Sequence, residues 1–292
     1  MKNVIRKSLS ALAILLISQV SIAQNNKKAA IPENENSLLW EISGNGNAKP
    51  SYLYGTVHMI CNEDYFLTDK TKKALNNAEN LFLEIDLNDP NEMAYLQKSA
   101  MGSEPLSKKL TAQQLADLDS ILKEKTGMTV QQVDNFSLFT VMSLITMKSF
   151  GCTNLKFYEM ELSSIAKAGN KKLGGLETGE AQMQFMGKAY NDDQMIAMLK
   201  ESKLEDTQKM VQSYKNENLV ELYNQITNPK FLNENSKKWL LEERNTNWVE
   251  KMPGIMRDKS SFFAVGAGHL LGEKGVINLL KKAGYTVKPI LN

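Results

Sequence analysis

The chain has 292 residues, with 35 basic and 33 acidic side chains and a formal net charge of +2. Three of the positive charges, Lys2, Arg6 and Lys7, fall in the first seven residues; without them the balance is 32 against 33, which leaves no basic footprint for nucleic acid. Past residue 23 no apolar run is long enough to span a bilayer, and the remaining chain of about 269 residues suffices for one large core or two small ones.

The basic start is followed by an apolar run, Ala11 to Ile17, and by Ser21-Ile22-Ala23, with small residues at the −3 and −1 positions of a cleavage site. Residues 1–23 therefore read as a secretory signal peptide. The expectation is an exported protein, periplasmic or secreted, with no stable membrane insertion after cleavage. Residues 24–37 are polar and read as a disordered lead-in. Strand patterns follow at Leu38–Ile42 and Ser51–Val57, joined by the Gly/Asn-rich turn 43–50. A helix with Thr68 or Asp69 as cap is expected to Asn80, then a strand over Leu81–Leu87.

From about residue 90 to 255 the pattern is mostly helical, clearest in Thr111–Lys125 and Asn135–Phe150, where apolar residues recur at three- and four-residue spacing. A short strand, Lys172–Leu176, interrupts it. The many methionines here, among them Met101, Met142, Met195 and Met210, suit core filling or a groove lining. Ser260–Val265 reads as a strand, Gly272–Ala283 as a helix and Thr286–Leu291 as a last strand. The expected fold is α/β: a central mixed sheet built from strand units at the two chain ends, with a large helical insert, all in one domain over residues 38–292.

Cys61 and Cys152 are the only cysteines. Export permits a disulfide between them; two buried free thiols are the alternative, and spacing does not decide.

Histidine is equally scarce. His58 and His269 are the only two, and each ends a Gly-x-x-His sequence after an apolar strand: Gly55-Thr56-Val57-His58 and Gly266-Ala267-Gly268-His269. A glycine at a strand end permits a tight turn or close approach. If both units pair in one sheet, their histidines share one edge. No Gly-x-Ser-x-Gly, His-Glu-x-x-His or P-loop sequence is present. Two imidazoles with carboxylates suit a divalent metal better than a Cys–His pair using Cys61. Acidic candidates are Glu84 and Asp86 in Leu83-Glu84-Ile85-Asp86, and Glu177 in Gly175-Leu176-Glu177-Thr178. Arg244 and Arg257 are the only arginines past the signal segment. Arg244 reads either as a helix-surface ion pair or as a planar clamp on a carboxylate or oxyanion.

The series Gly55-Thr56-Val57-His58, Glu84, Gly175-Leu176-Glu177-Thr178, Arg244-Asn245 and Gly266 to Gly272 resembles the TraB/GumN family. Its eukaryotic relatives are the Tiki proteins, membrane-tethered metal-dependent proteases that trim Wnt ligands, and a wider group includes erythromycin esterase-like and ChaN-like proteins. The resemblance covers about Leu38 to Ile290. It implies that His58 and His269 are metal ligands, that Glu84 and Glu177 are a ligand and a general base in unassigned order, and that Arg244 and Asn245 lie in or next to the site. This chain shows no tail anchor, so tethering and Wnt-like substrates are not part of the expectation.

The function expected is an exported metal-dependent hydrolase, a peptidase using a metal-activated water, with Mn, Co, Zn or Fe as the ion and a peptide or small molecule as substrate. The alternative is a non-catalytic protein of the same fold that binds a peptide, haem or lipid. Sequence leaves the oligomeric state open.

Overall fold

The computed structural model describes residues 36–291. The expected signal peptide and nearly all of the lead-in lie outside the described residues. Eight strands are present: β1 (Leu39–Ser43), β2 (Ser51–Thr56), β3 (Met59–Cys61), β4 (Asn80–Leu83), β5 (Leu155–Phe157), β6 (Lys172–Gly175), β7 (Ser261–Gly266) and β8 (Thr286–Pro289). Six of them form one mixed sheet in the order β6-β4-β7-β2-β1-β8, and β3 and β5 form a separate ribbon.

The parallel core of the sheet is β6-β4-β7-β2. Every residue of β2 and β7 is buried, as expected of parallel strands covered on both faces. β1 runs antiparallel to both β2 and β8, and its turn to β2 is made by Gly44, Asn45 and Gly46, all with positive φ. A parallel strand cannot be reached by a tight turn, so the chain passes from β2 through β3 and the helix Asp69–Asn77 to β4, leaving a gap in the sheet that β7 fills. The Thr68 side chain caps that helix by accepting from the Thr71 N–H.

The topology brings the carboxyl ends of β2, β4, β6 and β7 to one edge. Residues at such an edge are the usual ligand-facing groups of an open α/β sheet. His58 follows β2, Glu84 follows β4, Glu177 follows β6 and His269 follows β7.

The core under the sheet contains Trp40, Leu53, Phe262, Phe263, Val265 and Trp248, all fully buried. Each such side chain contributes about 1.5–3 kcal/mol relative to an exposed one. A second cluster joins the insert helices through Leu118, Leu122, Val141, Ile145, Met195 and Leu199. Its helix Ala112–Thr126 starts on a Thr111–Gln114 capping box and ends at Gly127, whose φ of 74° is left-handed.

Three features differ from the sequence expectation. The third main-sheet strand stops at Leu83 rather than Leu87, so Glu84 stands beyond the strand instead of alternating within it. Apolar Ile85 extends the strand-like pattern past the true end. Second, β5 sits unannounced inside the helical insert. Third, the two Gly-x-x-His units are not local copies: β3 intervenes between His58 and the first helix, whereas His269 closes a 3-10 turn, Ala267–His269.

The cysteines are joined. The Cys61–Cys152 disulfide, with a Cα–Cα distance of 6.0 Å, ties the end of β3 to the segment entering β5.

Candidate metal centre

His58 has φ of +59°, a left-handed conformation that a residue with a Cβ adopts at a cost. This turn sends the chain straight into β3. Its carbonyl accepts from the Tyr158 N–H at 2.8 Å, and its Nδ1 lies 2.8 Å from Glu159 Oε1. His269 is held differently. Its Nδ1 lies 2.6 Å from Asn245 Oδ1, and its ring packs against Trp248 with centroids 4.4 Å apart and the planes tilted by 40°.

An acceptor at each Nδ1 fixes the proton there and leaves Nε2 with a lone pair once the ring is neutral. Both Nε2 atoms face the same oxygen. Glu84 Oε1 is 3.9 Å from His58 Nε2 and 3.8 Å from His269 Nε2. The rings are thus closer than the ~10 Å that a shared metal site tolerates. The side chain of His58 is 52% exposed and that of His269 only 5%, so the space opens to solvent on the His58 side.

Glu84 and Glu177 stand side by side because the β4–β6 ladder runs on past the strands: Leu176 N–H donates to Leu83 and Glu177 N–H to Glu84. The remaining Glu84 bonds come from Gly266 N–H to Oε1 at 2.8 Å and from Gln182 Nε2 to Oε2 at 3.1 Å. Arg244 is buried between the two carboxylates. It donates to Glu177 through Nε at 2.9 Å and Nη2 at 2.6 Å, and Nη2 also reaches Glu84 Oε2. Its Nη1 donates to His269 Nε2 at 3.2 Å. Glu177 receives Trp248 Nε1 and Gln182 Nε2 as well, and makes no hydrogen bond to either histidine. The reading of Arg244 as a surface pair on its own helix is therefore corrected: its partners lie on the sheet edge. It follows a π-helical turn, Lys238–Glu242, an irregularity common at functional sites.

The charges set the protonation states. Burial drives the His269 pKa down, Arg244 drives it further, and it falls to about 3, so the ring is neutral. Burial opposes charge on His58 too, but the Glu159 and Glu84 carboxylates outweigh it and lift its pKa to about 9. Glu84 is held well below the usual carboxylate range: burial is overcome by Arg244, the two histidines and the Gly266 N–H.

Two imidazoles and a carboxylate are donor types that suit a divalent ion, although the ligand atoms of His58, Glu84 and His269 do not all lie within 4.8 Å of one another. Ligand atoms at 2.0–2.2 Å from one ion stand roughly 3.4 Å apart at tetrahedral angles, close to the two Nε2–Oε1 separations observed. Glu84, Glu159 and Glu177 against Arg244 leave a surplus of two negative charges when the imidazoles are neutral. Gly266 keeps the space open: a Cβ there would stand 3.0 Å from His58 Nε2 and 3.4 Å from Glu84 Oε1. Among the described residues the group whose three ligand atoms do lie within 4.8 Å of one another is Cys61, Glu63 and Cys152, and its sulfurs are spent in the disulfide.

The structure thus gathers His58, His269, Glu84, Glu177, Arg244 and Asn245 at one edge, with Glu177 set behind Arg244 and away from the imidazoles. The Asp86 side chain accepts from Asn88 nearby and touches neither histidine nor Arg244 through a hydrogen bond. Sequence reasoning missed Glu159, Gln182 and Trp248, all on insert helices. Of the methionines, Met195 is part of the second core cluster and, with Met101, also lines a separate cavity of about 270 Å³.

The profile of the TraB/PrgY/gumN family matches residues 38–289. Similar curated proteins include "Metalloprotease TIKI2" of Xenopus tropicalis, 22% identical over 88% of this chain and 60% of its own length. "Metalloprotease TIKI homolog" of Nematostella vectensis is 22% identical over 88% of this chain and 67% of its own length. "Metalloprotease TIKI1" of Xenopus tropicalis is 24% identical over 94% and 66% respectively. The chain spans 60–67% of the length of these relatives. No solved structure matches it.

Proposed function

Because the chain belongs to the TraB/PrgY/gumN family, we propose that it is an exported metal-dependent hydrolase, a peptidase working at the carboxyl edge of its parallel strands. One observation carries this reading: His58 Nε2 and His269 Nε2 converge on Glu84 Oε1 while both Nδ1 atoms are already satisfied. Histidines that bind metals are ordinarily oriented by such a bond from the other ring nitrogen. The metalloprotease names of the relatives support the reaction class. The disulfide and the signal-like N-terminus support export, since disulfides persist in oxidising compartments.

His58, His269 and Glu84 would hold the ion, with Mn, Co, Zn or Fe all compatible with the mixed donors. When bound it supplies Lewis-acid polarisation of a carbonyl and a water of lowered pKa. The chain's own groups do the rest. Glu159 and Asn245 keep the Nδ1 protons in place. Trp248 shields the buried face of His269, so substrate approaches from the exposed His58 side. Glu177 anchors Arg244, and its carboxylate has too many donors to serve as ligand or base. Arg244 Nη1 donates to His269 Nε2; were that lone pair given to an ion instead, this N–H would be released toward a substrate oxygen that gains negative charge.

The test is cleavage of a peptide library by chelator-treated protein resupplied with Mn²⁺, Co²⁺ or Zn²⁺. Cleavage should depend on added metal and vanish in His58→Ala and His269→Ala. Metal-independent cleavage, or full activity in either variant, would contradict the reading. A second reading, ligand binding without catalysis, is favoured by the cavity lined by Met101, Leu106, Phe136, Phe139, Tyr190 and Met195, which shares no residue with the histidine site. A tightly held ligand with no turnover would support it.

A further inference from the structure

We propose that Glu159 is a positioning residue for His58 and that the Cys61–Cys152 disulfide keeps it in place. The inference rests on the reading of His58 as a metal ligand. Glu159 is the second residue of the helix Tyr158–Ala168, directly after β5. Its Oε1 faces His58 Nδ1 and also accepts from Thr56 Oγ1 at 3.0 Å, so it acts on the ring from behind rather than as a ligand.

The segment that delivers it has little to hold it. The β3–β5 ribbon has three residue pairs, Met59 with Phe157, Ile60 with Lys156 and Cys61 with Leu155. It is not part of the main sheet, and a two-stranded ribbon of that length is marginal by itself. It must nevertheless keep His58 left-handed, a strained conformation that persists only when its surroundings over-determine it. The disulfide closes the far end of the ribbon, and the Tyr158 N–H bond to the His58 carbonyl closes the near end. His269 needs no such clamp. It is buried and is held by Asn245 from the long helix Glu243–Met256. The site therefore has one rigid limb and one limb whose geometry depends on an oxidised cysteine pair 91 residues apart in sequence.

The experiment is a titration of the metal-free full chain with Co²⁺, followed by visible absorption, for wild type, Glu159→Ala, Glu159→Gln and the Cys61→Ser/Cys152→Ser pair. Serines are used instead of a reductant because free thiols beside Glu63 would lie within 4.8 Å of one another and bind Co²⁺ themselves. Glu159→Ala should weaken Co²⁺ binding about 10–100-fold, the usual effect of losing a partner that orients a ligand. Glu159→Gln should recover most of that loss, because its amide oxygen still accepts from Nδ1–H. The serine pair should resemble Glu159→Ala, and combining the two should add little, as for residues acting through one contact. Unchanged Co²⁺ affinity and spectrum in Glu159→Ala would overturn the positioning role, whatever the serine pair does. Wild-type affinity in the serine pair would overturn the role of the disulfide. A wild-type chain that takes up no Co²⁺ would overturn the metal reading and this inference with it.

Discussion

Arg244 grips Glu177 with two nitrogens, Nε at 2.9 Å and Nη2 at 2.6 Å, and both side chains are buried. The pair spans 67 residues of sequence and ties the long helix Glu243–Met256 to the end of β6. Breaking a buried pair from one side costs about 3–5 kcal/mol, and since Arg244 Nη2 keeps Glu84 as a second carboxylate partner the lower end, about 3 kcal/mol, applies here. Glu177→Ala should therefore lower unfolding free energy in urea by about that amount. A loss below about 1 kcal/mol, the range of an exposed pair, would show that Glu177 is not the anchor of Arg244.

Gly266 supplies a second prediction, one that separates site from fold. Its hydrogen faces the gap between His58 and Glu84, and an added Cβ would meet His58 Nε2 at 3.0 Å. The glycine has no positive φ, so alanine imposes no backbone strain there. Gly266→Ala should keep the thermal midpoint within a few degrees of wild type while sharply reducing bound metal. Undiminished metal content would mean that the ion, if any, lies elsewhere.

Proton release on metal uptake gives a third. In the metal-free chain His58 is raised to about 9 by Glu159 and Glu84 against the pull of burial, so it is protonated at neutral pH. A metal needs the neutral ring. Uptake at pH 7 should expel a proton, and apparent affinity should climb with pH up to about 9 and level off above it. For stability of the metal-free chain the sign is the reverse. A raised histidine pKa stabilises fully below the unfolded value of about 6.5, and that contribution is lost as pH rises through about 9. Calorimetry in buffers of different ionisation enthalpy reads the released proton directly. Uptake with no proton release at pH 7 would contradict the placement of His58.

The sheet was legible because β2 and β7 are short apolar runs bounded by turn residues, and because two rare histidines share a local pattern. Arg244 and Asn245 stood out because arginine is scarce and the family resemblance includes the pair. The end of β4 was not legible, since Ile85 continues the apolar alternation although the chain has already turned. Glu159 was hidden for another reason. It meets His58 across 101 residues, from the first turn of a helix that is placed there by a three-residue strand too short to show a period. A firm Cys61–Cys152 assignment would have exposed it, because that bond draws the segment after Cys152 alongside His58. Gln182 and Trp248 were hidden likewise: each belongs to an amphipathic helix whose polar contacts depend on how the insert docks on the sheet.

The central claim is that one divalent ion is held between the two strand-end histidines. Elemental analysis of full chain purified without chelators, beside the His58→Ala variant prepared identically, tests it most directly. The expected result is one divalent metal per wild-type chain and little or none in the variant. Equal metal content in the two proteins would contradict it.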